Sequence, residues 1–328
     1  MASAYPHVPA KPKVSIIIVN WNGLPYLPEC LSSVFSDKKI AFEVILVDNA
    51  STDGSVEWVE MNYPQVRVMK NKENTGFAAA NNIGAKNANG GYLCFLNYDT
   101  VVEKEWLSAL VETIENEKQA GAVTAKLLLH QKPRTINTIG GFFSVFGIAG
   151  SFGDGEDAGK YAERRTVFSP SGAAFLIRKE LFDKLGGFDQ KFFMYQEDVD
   201  LGWGVWNSGY DVVFQPKSVV YHKYENKRNP GKMFFISRNL IWTIWKNAST
   251  VHMLFLLPIS MASSFAIAAS FLAAMKPAFA IEVMRGTFAG FTGKPKRRGL
   301  PDNGWKRMLG PFATARVFLQ KFRKHFLQ

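Results

Sequence analysis

The stretch that decides the fold is GGYLCFLNYDT, at residues 90–100. An apolar run over 92–96 stops abruptly at Asn97, Tyr98 and Asp99. Apolar runs of this length, bounded by glycine and polar residues, are typical of buried strands in a parallel sheet. A carboxylate just past the carboxyl end of such a strand lies at the crevice where open α/β sheets bind ligands. Asp99 is therefore a candidate for holding a metal-nucleotide, although asparagine and aspartate also occur in plain strand-end turns.

Strand-like apolar runs alternate with helical patterns on both sides of this stretch. The first is the β-branched run VSIIIV at 14–19. Further strands are predicted at 42–47, 66–69, 122–129 and 173–177. This alternation predicts an α/β fold with a mostly parallel central sheet flanked by helices. The segment 140–159 is rich in Gly, Phe and Ser; we interpret it as a mobile loop around a short hairpin and expect it to shape or cover a pocket.

Composition restricts the class of protein. The chain has 328 residues, a hydrophobic fraction of 47% and a net charge of +11. Twelve Lys and Arg residues but only two acids lie in 276–328, so the positive charge is concentrated at the end. Cys30 and Cys94 both lie in apolar segments, which favours two reduced core cysteines over a disulfide framework. Residues 1–13 contain proline and lysine without an apolar core, so we do not expect a signal peptide.

Carboxylates follow several of the predicted apolar segments. Asp48 ends the second strand and Asp99 the fourth, so both are expected at one edge of a parallel sheet. There Asp48 would accept a hydrogen bond from a base or ribose, and Asp99 would hold Mg²⁺ or Mn²⁺ across a diphosphate. Glu197 and Asp198 begin a helix, where carboxylates also interact favourably with the helix dipole in the absence of any catalytic role.

Six motifs in order resemble the family 2 glycosyltransferases, and within them the rhamnosyltransferase branch of cell-surface polysaccharide assembly. The resemblance covers about 14–247, including Arg238-Asn239 and Lys246-Asn247. It rests on VSIIIVNWNG, VILVDNASTDGS, NTGFAAANNIGA, FLNYDT, GGFDQKFFMYQEDVDLGW and VVYH. It implies a GT-A fold, a nucleotide-diphosphate sugar donor, a divalent metal (Mg²⁺ or Mn²⁺) and inversion at the anomeric carbon.

The resemblance also implies roles for individual residues. Asp99 matches the metal-binding aspartate of the Asp-x-Asp motif, and His222 a position near the diphosphate and metal, although a strand-end histidine can also merely pack. Asp198 matches the general base, with Glu197 beside it. At a helix start we expect Asp198 to stay ionised. The residues assigned to donor binding are Asn20, Asp48, Asn81, Asn97 and Tyr98, where Asn81 and its neighbour Asn82 are alternatively helix-surface amides.

Two positions depart from the family pattern. Asn97 and Tyr98 replace the first aspartate and the usually smaller middle residue of Asp-x-Asp, so that Asp99 alone supplies a carboxylate there. Gly204 stands where many relatives have an arginine after the Gly-Trp pair. Loss of this cation leaves open which contacts to acceptor or phosphate form near this position.

The chain divides into an N-terminal extension at 1–13, a catalytic domain at 14–230, an apolar helical region at 231–293 and a basic tail at 294–328. The uncharged segment 250–275 is long enough to cross a bilayer as a helix, yet basic residues lie on both sides of it. We favour helices that lie in the cytoplasmic leaflet over a single crossing. Lys294-Pro295-Lys296-Arg297-Arg298 would then bind anionic headgroups, unless these helices form a hairpin packed on the catalytic domain or on a second subunit.

The sequence therefore predicts an inverting transferase at the cytoplasmic face of the membrane. It would move a sugar, with rhamnose as a candidate, onto a hydroxyl of a lipid-linked glycan. A dinucleotide-binding oxidoreductase is a weaker alternative, because Asn20-Trp21-Asn22-Gly23 stands where Gly-x-Gly-x-x-Gly belongs. A non-catalytic scaffold is another, which Asp99 and Asp198 argue against. No basic-aromatic face favours nucleic acid, and a homo-oligomer remains open.

Overall fold

The computed structural model describes residues 12–223, 229–310 and 313–314. The strands within these ranges are β1 Val14–Asn20, β2 Phe42–Asp48, β3 Arg67–Lys70, β4 Tyr92–Asn97, β5 Thr100–Val102, β6 Ala120–Leu129, β7 Lys132–Thr138, β8 Gly141–Phe143, β9 Ala149–Ser151, β10 Arg165–Thr166, β11 Ala174–Arg178 and β12 Asp211–His222. The α-helices there are α1 Leu27–Ser36, α2 Ser55–Asn62, α3 Gly76–Lys86, α4 Trp106–Asn116, α5 Lys179–Lys184, α6 Glu197–Asn207, α7 Pro230–Asn247, α8 Thr250–Ala273 and α9 Pro277–Ala289. Most of the predicted N-terminal extension and the end of the predicted basic tail lie outside the described residues.

One large sheet forms the centre of the protein, with the strand order β10-β12-β6-β11-β4-β1-β2-β3. β1, β2, β3, β4, β6 and β12 all run in the same direction. β11 runs antiparallel between β4 and β6, because the chain returns to the sheet from the carboxyl edge after β7 and the β8–β9 hairpin. The predicted α/β fold with a mostly parallel sheet is confirmed.

The sheet is buried on both faces, as its near-continuous apolar strands predict. Ile16 and Ile18 of β1 face one core, together with α1 and α4. Ile17 faces the other core, with α3, α5 and α6. On that side a Cβ at Gly84 would collide with Ile17, so the glycine lets α3 approach β1 closely. This close packing fixes the beginning of α3 at the carboxyl edge of the sheet.

The C-terminal helices form a further layer. α7 packs against α6, and α9 folds back against both α7 and α8. α8 buries one stripe, made by Leu256, Ser260, Ser264 and Ala268. The Ser260 hydroxyl donates to the carbonyl of Gly147 at 3.0 Å, in the turn of the β8–β9 hairpin. The helical layer is therefore attached to the loop region as well as to α6.

The opposite side of α8 is apolar and exposed. α8 has 24 residues, and an 18-residue window within it has a mean hydropathy of 1.8, which makes it the one helix of the described ranges long and apolar enough to span a bilayer. Six apolar side chains of α8 and of the turn that follows it are between 50% and 87% exposed: Val251, Leu254, Phe255, Phe265, Leu272 and Met275. Ile281 and Phe288 of α9 add to this surface. We call these eight residues the apolar surface.

The basic cluster at 294–298 is not the free patch that the sequence predicts. The Arg298 guanidinium lies 2.6 Å from the Asp200 carboxylate and is 5% exposed. Arg297 donates to the carbonyl of Ala248, and the Lys294 ammonium lies 3.7 Å from the centre of the Trp245 ring. Within the cluster these three cations pack on α6 and on α7 and its end, because a buried carboxylate, a helix end and an indole face provide better partners than water.

Candidate active site

The carboxyl edge of the sheet gathers the residues predicted to bind the donor. Asn20 at the end of β1 is in register with Asp48 at the end of β2, and Asn97 at the end of β4 is in register with Val19. Asp99 follows two residues later. The expectation that Asp48 and Asp99 share one edge agrees with this register.

Asp48 is held by a local network. Its Oδ1 accepts from Asn20 Nδ2 at 2.8 Å and from the Ser51 hydroxyl at 2.6 Å, and its Oδ2 accepts from the Ser51 N–H at 2.9 Å. Asn20 Nδ2 also contacts Ser55 Oγ at 2.8 Å, at the start of α2. Asp48 is only 3% exposed. In the structure its carboxylate stabilises the turn between β2 and α2. Its contact with a nucleotide stays a prediction, and the serines were not predicted.

Asp99 and His222 come together, as a shared metal site requires. His222 ends β12, which pairs with β5 directly after Asp99, and His222 Nε2 lies 3.3 Å from Asp99 Oδ1. His222 Nδ1 lies 2.9 Å from Asn137 Oδ1 on β7. If Nδ1 carries the ring proton, it donates to this amide oxygen and Nε2 faces Asp99, as a metal-binding histidine requires.

The donor set at this place suits a hard divalent cation. Asp99 Oδ1 is buried and has no hydrogen-bond donor in the described part of the chain. Adjacent ligands of an octahedral cation with bonds of about 2.1 Å lie about 3 Å apart, close to the Asp99–His222 separation. The described residues contain no group of three or more His, Cys, Asp or Glu side chains able to hold a metal. Two protein ligands leave room for diphosphate oxygens and water, which is how Mg²⁺ is usually held.

Tyr98 covers the donor side of this edge. Its ring lies 6.0 Å from that of Tyr26, and a Cβ at Gly23 would collide with it, so the NWNG loop leaves room for the bulkier residue. Burial, together with the charge of Asp99, raises the pKa of Tyr98 to about 12. The hydroxyl is therefore protonated at neutral pH and able to donate a hydrogen bond.

Asn81 and Asn82 lie on α3 and have internal partners. Asn81 is 1% exposed and donates to the carbonyl of Phe77 in its own helix. Asn82 both donates to and accepts from the backbone of Phe188, at 2.7 and 3.0 Å. The Asn82 contacts anchor the turn before the Glu-Asp pair. The Asn81 contact stays within α3, and the donor role of Asn81 stays a prediction.

The loop that leads into Glu197 is strained. Phe193, Tyr195 and Gln196 have φ of 63°, 67° and 69°, a conformation that non-glycine residues rarely adopt. Asn239 of α7 holds this loop, because its Nδ2 donates to the carbonyls of Phe192, Met194 and Tyr195 at 2.8–2.9 Å. Strain of this kind persists only where several surrounding contacts hold the backbone in place, and it is commonest at active sites.

Glu197 and Asp198 lie at the start of α6 beside a cavity of about 200 Å³. The β8–β9 hairpin, within the predicted pocket-forming segment 140–159, lines the same cavity. Asp198 Oδ2 accepts from the Gly172 N–H at 3.0 Å, and Oδ1 accepts from the Val199 N–H at 2.8 Å. Next to Gly172, the carbonyl of Ala173 accepts from the Asn97 N–H at 2.9 Å, so one short bridge joins the predicted base to the end of β4.

Burial shifts the pKa of both carboxyl groups of this pair upward. Burial, and secondarily the charge of Asp198, raises the pKa of Glu197 well above its ordinary value. Burial also raises the pKa of Asp198, although the hydrogen bonds from the two N–H groups stabilise its charge and lower this pKa. For Asp198, desolvation thus outweighs the hydrogen bonds that stabilise its charge. The pKa of Glu197 is the more strongly raised of the two, because its Oε2 has no donor in the described chain whereas both Asp198 oxygens accept N–H groups.

A third carboxylate of α6 anchors the C-terminal layer. Asp200 is fully buried and accepts from Lys246 at 2.9 Å, Arg298 at 2.6 Å and Asn247 at 2.6 Å. Burial alone would raise the pKa of Asp200, but Arg298 and Lys246 lower it below its ordinary value. Both cations come from outside α6, one from α7 and one from the tail.

A cation from elsewhere in the chain lies next to Gly204. A Cβ on Gly204 would overlap the guanidinium of Arg298, which therefore fills the space next to this glycine. An arginine supplied by the tail thus lies where a side chain on α6 would otherwise project. Asn137, Asn239 and Arg298 were not assigned to the site from the sequence; only the motif Arg238-Asn239 hinted at one of them.

Solved structures with the same architecture define the class of protein. Staphylococcus aureus TarS 1–349 in complex with UDP-GlcNAc aligns with a TM-score of 0.60 at 18% identity, over 86% of this chain and 82% of that one. The mannosyltransferase PcManGT from Pyrobaculum calidifontis, in complex with GDP-Man and Mn²⁺, aligns with a TM-score of 0.57 at 16% identity, over 87% and 88%. The fold is the GT-A fold of nucleotide-sugar glycosyltransferases.

The family follows from the sequence. The family model described as Glycosyl transferase family 2 matches residues 15–186, more than half of the chain, so the protein belongs to this family and is a glycosyltransferase. A relative is N-acetylglucosaminyl-diphospho-decaprenol L-rhamnosyltransferase of Mycobacterium tuberculosis (strain ATCC 25618 / H37Rv). It is 27% identical over 242 residues, which cover 66% of this chain and 78% of the relative. The predicted family and enzyme class are confirmed.

Proposed function

We propose that the protein is an inverting, metal-assisted transferase that moves a sugar from a nucleotide-diphosphate donor to a hydroxyl of a lipid-linked glycan. The observation that carries this proposal is the bridge Asp198–Gly172–Ala173–Asn97. It ties a buried carboxylate to the strand end that also presents Asp99. A single displacement at an anomeric carbon needs a base and a diphosphate site at a fixed separation. This short bridge would hold the two at such a separation.

In this mechanism Asp198 acts as the base. The N–H groups of Gly172 and Val199 fix its orientation, and the cavity beside it receives the acceptor hydroxyl. Asp198 takes the proton of this hydroxyl as the oxygen attacks from the face opposite the leaving diphosphate. Its raised pKa makes it a better base than an exposed aspartate. Glu197, which keeps its own proton, leaves the single negative charge on Asp198.

Asp99 and His222 would hold the metal ion, and Asn137 would orient the histidine ring. A divalent cation here would neutralise negative charge on the leaving diphosphate. The complex of PcManGT with GDP-Man and Mn²⁺ supports this use of the fold. The Tyr98 hydroxyl and the buried turn held by Asp48 would shape the donor side.

The apolar surface supports a membrane location for the acceptor. α8 packs its buried stripe on the protein, so lipid cannot surround the helix on all sides. We therefore place α8 and α9 in the plane of the cytoplasmic leaflet rather than across it. The mycobacterial relative is named for a diphospho-decaprenol acceptor, which agrees with a substrate presented from lipid.

The decisive experiment is transfer by the purified full-length chain. Nucleotide sugars, beginning with rhamnosyl donors because of the relative's name, are incubated with N-acetylglucosaminyl-diphospho-polyprenol, with Mn²⁺ or with EDTA. We expect glycosylated lipid only with metal, and the anomeric configuration opposite to that of the donor by NMR. A retained configuration would overturn the mechanism, and the absence of any donor cleavage would overturn the proposal as a whole.

Membrane association is tested separately by changing Leu254, Phe255 and Leu272 to Gln. These side chains are 66%, 61% and 55% exposed, so the fold should tolerate the changes. Flotation with neutral vesicles should fall strongly, because hydrophobic insertion is lost. Met61→Gln on α2, an exposed apolar residue away from this surface, is the control and should bind as before. Equal flotation of all three proteins would contradict the in-plane arrangement.

A further inference from the structure

A second cleft, of about 610 Å³, lies between the segment at the end of α5 and the tail. Most of the charged residues that line it are cations: Lys184, Lys191, Lys246, Lys296, Arg297 and Arg298. Asp189 is the one carboxylate among its lining residues. Asn82 lines this cleft, but the residues predicted for catalysis and the metal and the five assigned to donor binding do not, and no residue that lines the cavity beside Asp198 lines it either. We call it the cationic cleft.

Internal ion pairs neutralise part of this charge. Lys246 lies 2.9 Å from Asp189 and 2.9 Å from Asp200, and Arg298 lies 2.6 Å from Asp200. These two cations and two carboxylates balance each other. This balance explains how the cleft stays folded without a ligand.

The other four cations have no such compensation. Lys184, Lys191 and Lys296 are exposed, and with Arg297 they form no ion pair with a carboxylate in the described part of the chain. Lys191 Nζ lies 3.4 Å from the carbonyl oxygens of Gly293 and Lys294, and Arg297 donates to the carbonyl of Ala248. Carbonyl groups carry no net charge, so about four positive charges surround one concave space.

The cationic side of the cleft is rigidly positioned. Trp245 of α7 donates to the carbonyl of Pro295 at 3.1 Å and stacks under the Lys294 ammonium. Arg298 has two buried N–H-bearing atoms, Nε and Nη1, without an acceptor in the described chain. Fixed, partly desolvated cations bind anions better than mobile ones, because less side-chain entropy is lost on binding.

We propose that the cationic cleft binds a phosphate-bearing group. Several lysines and arginines around one pocket match the charge of a diphosphate or a lipid phosphate. Two sources share this chemistry: the diphosphate linker of a lipid-linked acceptor and the headgroup of an anionic phospholipid. The tail segment in the cleft follows α9 directly, so the ligand would come from the side of the apolar surface. This last step rests on the proposed function; the phosphate site itself does not.

The test is the combined change Lys184→Gln, Lys191→Gln and Lys296→Gln in the full-length chain. All three side chains are exposed, so the fold should be retained. A matched control changes Lys38, Lys86 and Lys118, exposed lysines elsewhere, to Gln. Binding of inorganic pyrophosphate is measured by calorimetry in EDTA, which removes the contribution of the metal site. We expect the affinity to fall on the order of tenfold or more in the cleft variant and little in the control.

Vesicles then separate the two sources. The unchanged chain is compared on phosphatidylcholine vesicles that contain either phosphatidylglycerol or polyprenyl diphosphate, at equal surface charge. If the unchanged chain prefers polyprenyl diphosphate and the cleft variant loses this preference, the ligand of the cleft is the acceptor linker. If the unchanged chain binds both kinds of vesicle equally and the cleft variant binds neither well, the ligand is the phospholipid headgroup. Pyrophosphate affinity unchanged in the cleft variant, or lowered equally in the control, overturns the proposal. Because neither binding measurement requires sugar transfer, a failure of this proposal can be distinguished from a failure of the proposed function.

Discussion

The proposed donor side and the proposed base side of the active site are held by different parts of the chain. On the donor side, Asp48 is bound by Asn20, 28 residues away on the adjacent strand, and by Ser51, three residues away. On the base side, Asp200 is bound by Lys246 and by Arg298, 98 residues away. The donor side is therefore part of the sheet edge, whereas the base side depends on the helical layer and the tail.

This difference has a consequence for the C-terminal region. Arg298 lies against α6, and Asp302 accepts from the Trp203 indole at 3.0 Å and from the Ser249 N–H at 2.8 Å. Removing the chain after α7 would take these contacts away from the helix that begins with Asp198. Membrane association and the position of the base are thus linked through one segment, so point changes separate them better than truncation does.

The largest effect is expected from Asp200→Asn. This change leaves Arg298 and Lys246 buried with too little negative charge, and breaking a buried pair usually costs about 3–5 kcal/mol. The urea midpoint of unfolding of the full-length chain should fall clearly. Asp183→Asn, which breaks the exposed pair with Lys179, should cost less than about 1 kcal/mol. Similar midpoints for both variants would show that the base side does not depend on this network.

Asp198→Asn should act on turnover and leave the donor side intact. Loss of a general base lowers kcat on the order of a hundredfold or more. The affinity for the nucleoside diphosphate should stay within about twofold, because no donor residue is changed. Initial rates and calorimetric titration measure the two quantities. A kcat within a few-fold of the unchanged enzyme would exclude Asp198 as the base.

Asp99→Asn is the opposite change. We expect the metal-dependent part of nucleoside diphosphate affinity to fall on the order of tenfold or more, since one of two protein ligands of the cation is weakened. Titrations with Mn²⁺ and with EDTA measure this part directly, and the unfolding midpoint serves as the control for the fold. If the metal still strengthens nucleotide binding as much as before, Asp99 is not a ligand.

The smallest effect is expected from Glu197→Gln, seen in its pH dependence. The pKa of Glu197 is raised on folding, so the stability associated with its protonated form is fully present below the ordinary value of 4.5 and is lost as pH rises through the raised pKa. Glutamine is uncharged at every pH. The variant should therefore have the higher thermal midpoint at alkaline pH and lose this advantage in acid.

Thermal unfolding curves from acidic to alkaline pH test this sign, with Glu180→Gln on α5, an exposed acid, as the control. A constant difference between the Glu197 variant and the unchanged chain would show that Glu197 has the same pKa folded and unfolded. The rate of transfer is a second observable. Because the pKa of Asp198 is raised, kcat should begin to fall with acid at a higher pH than for an ordinary aspartate.

The sequence by itself determined the sheet, its edge and the family. β-branched runs such as 14–19 must be buried on both sides, and polar residues at their ends can only meet at one edge. Asp48, Asp99 and the Glu197-Asp198 pair were found in this way, because strand period and helix start are local signals. Their chemical roles came from the ordered motifs, and those roles are the subject of the experiments above.

Only the tertiary structure decided how the base side is built. Arg298 beside Gly204, Asn137 against His222 and Asn239 under the strained loop join residues far apart in the chain. Such pairs leave no periodicity in the sequence, because either partner alone looks like an ordinary surface residue. The raised pKa of Asp198 is of the same kind: the helix start is visible in the sequence, but the desolvation that raises this pKa arises only when distant segments close around the carboxylate.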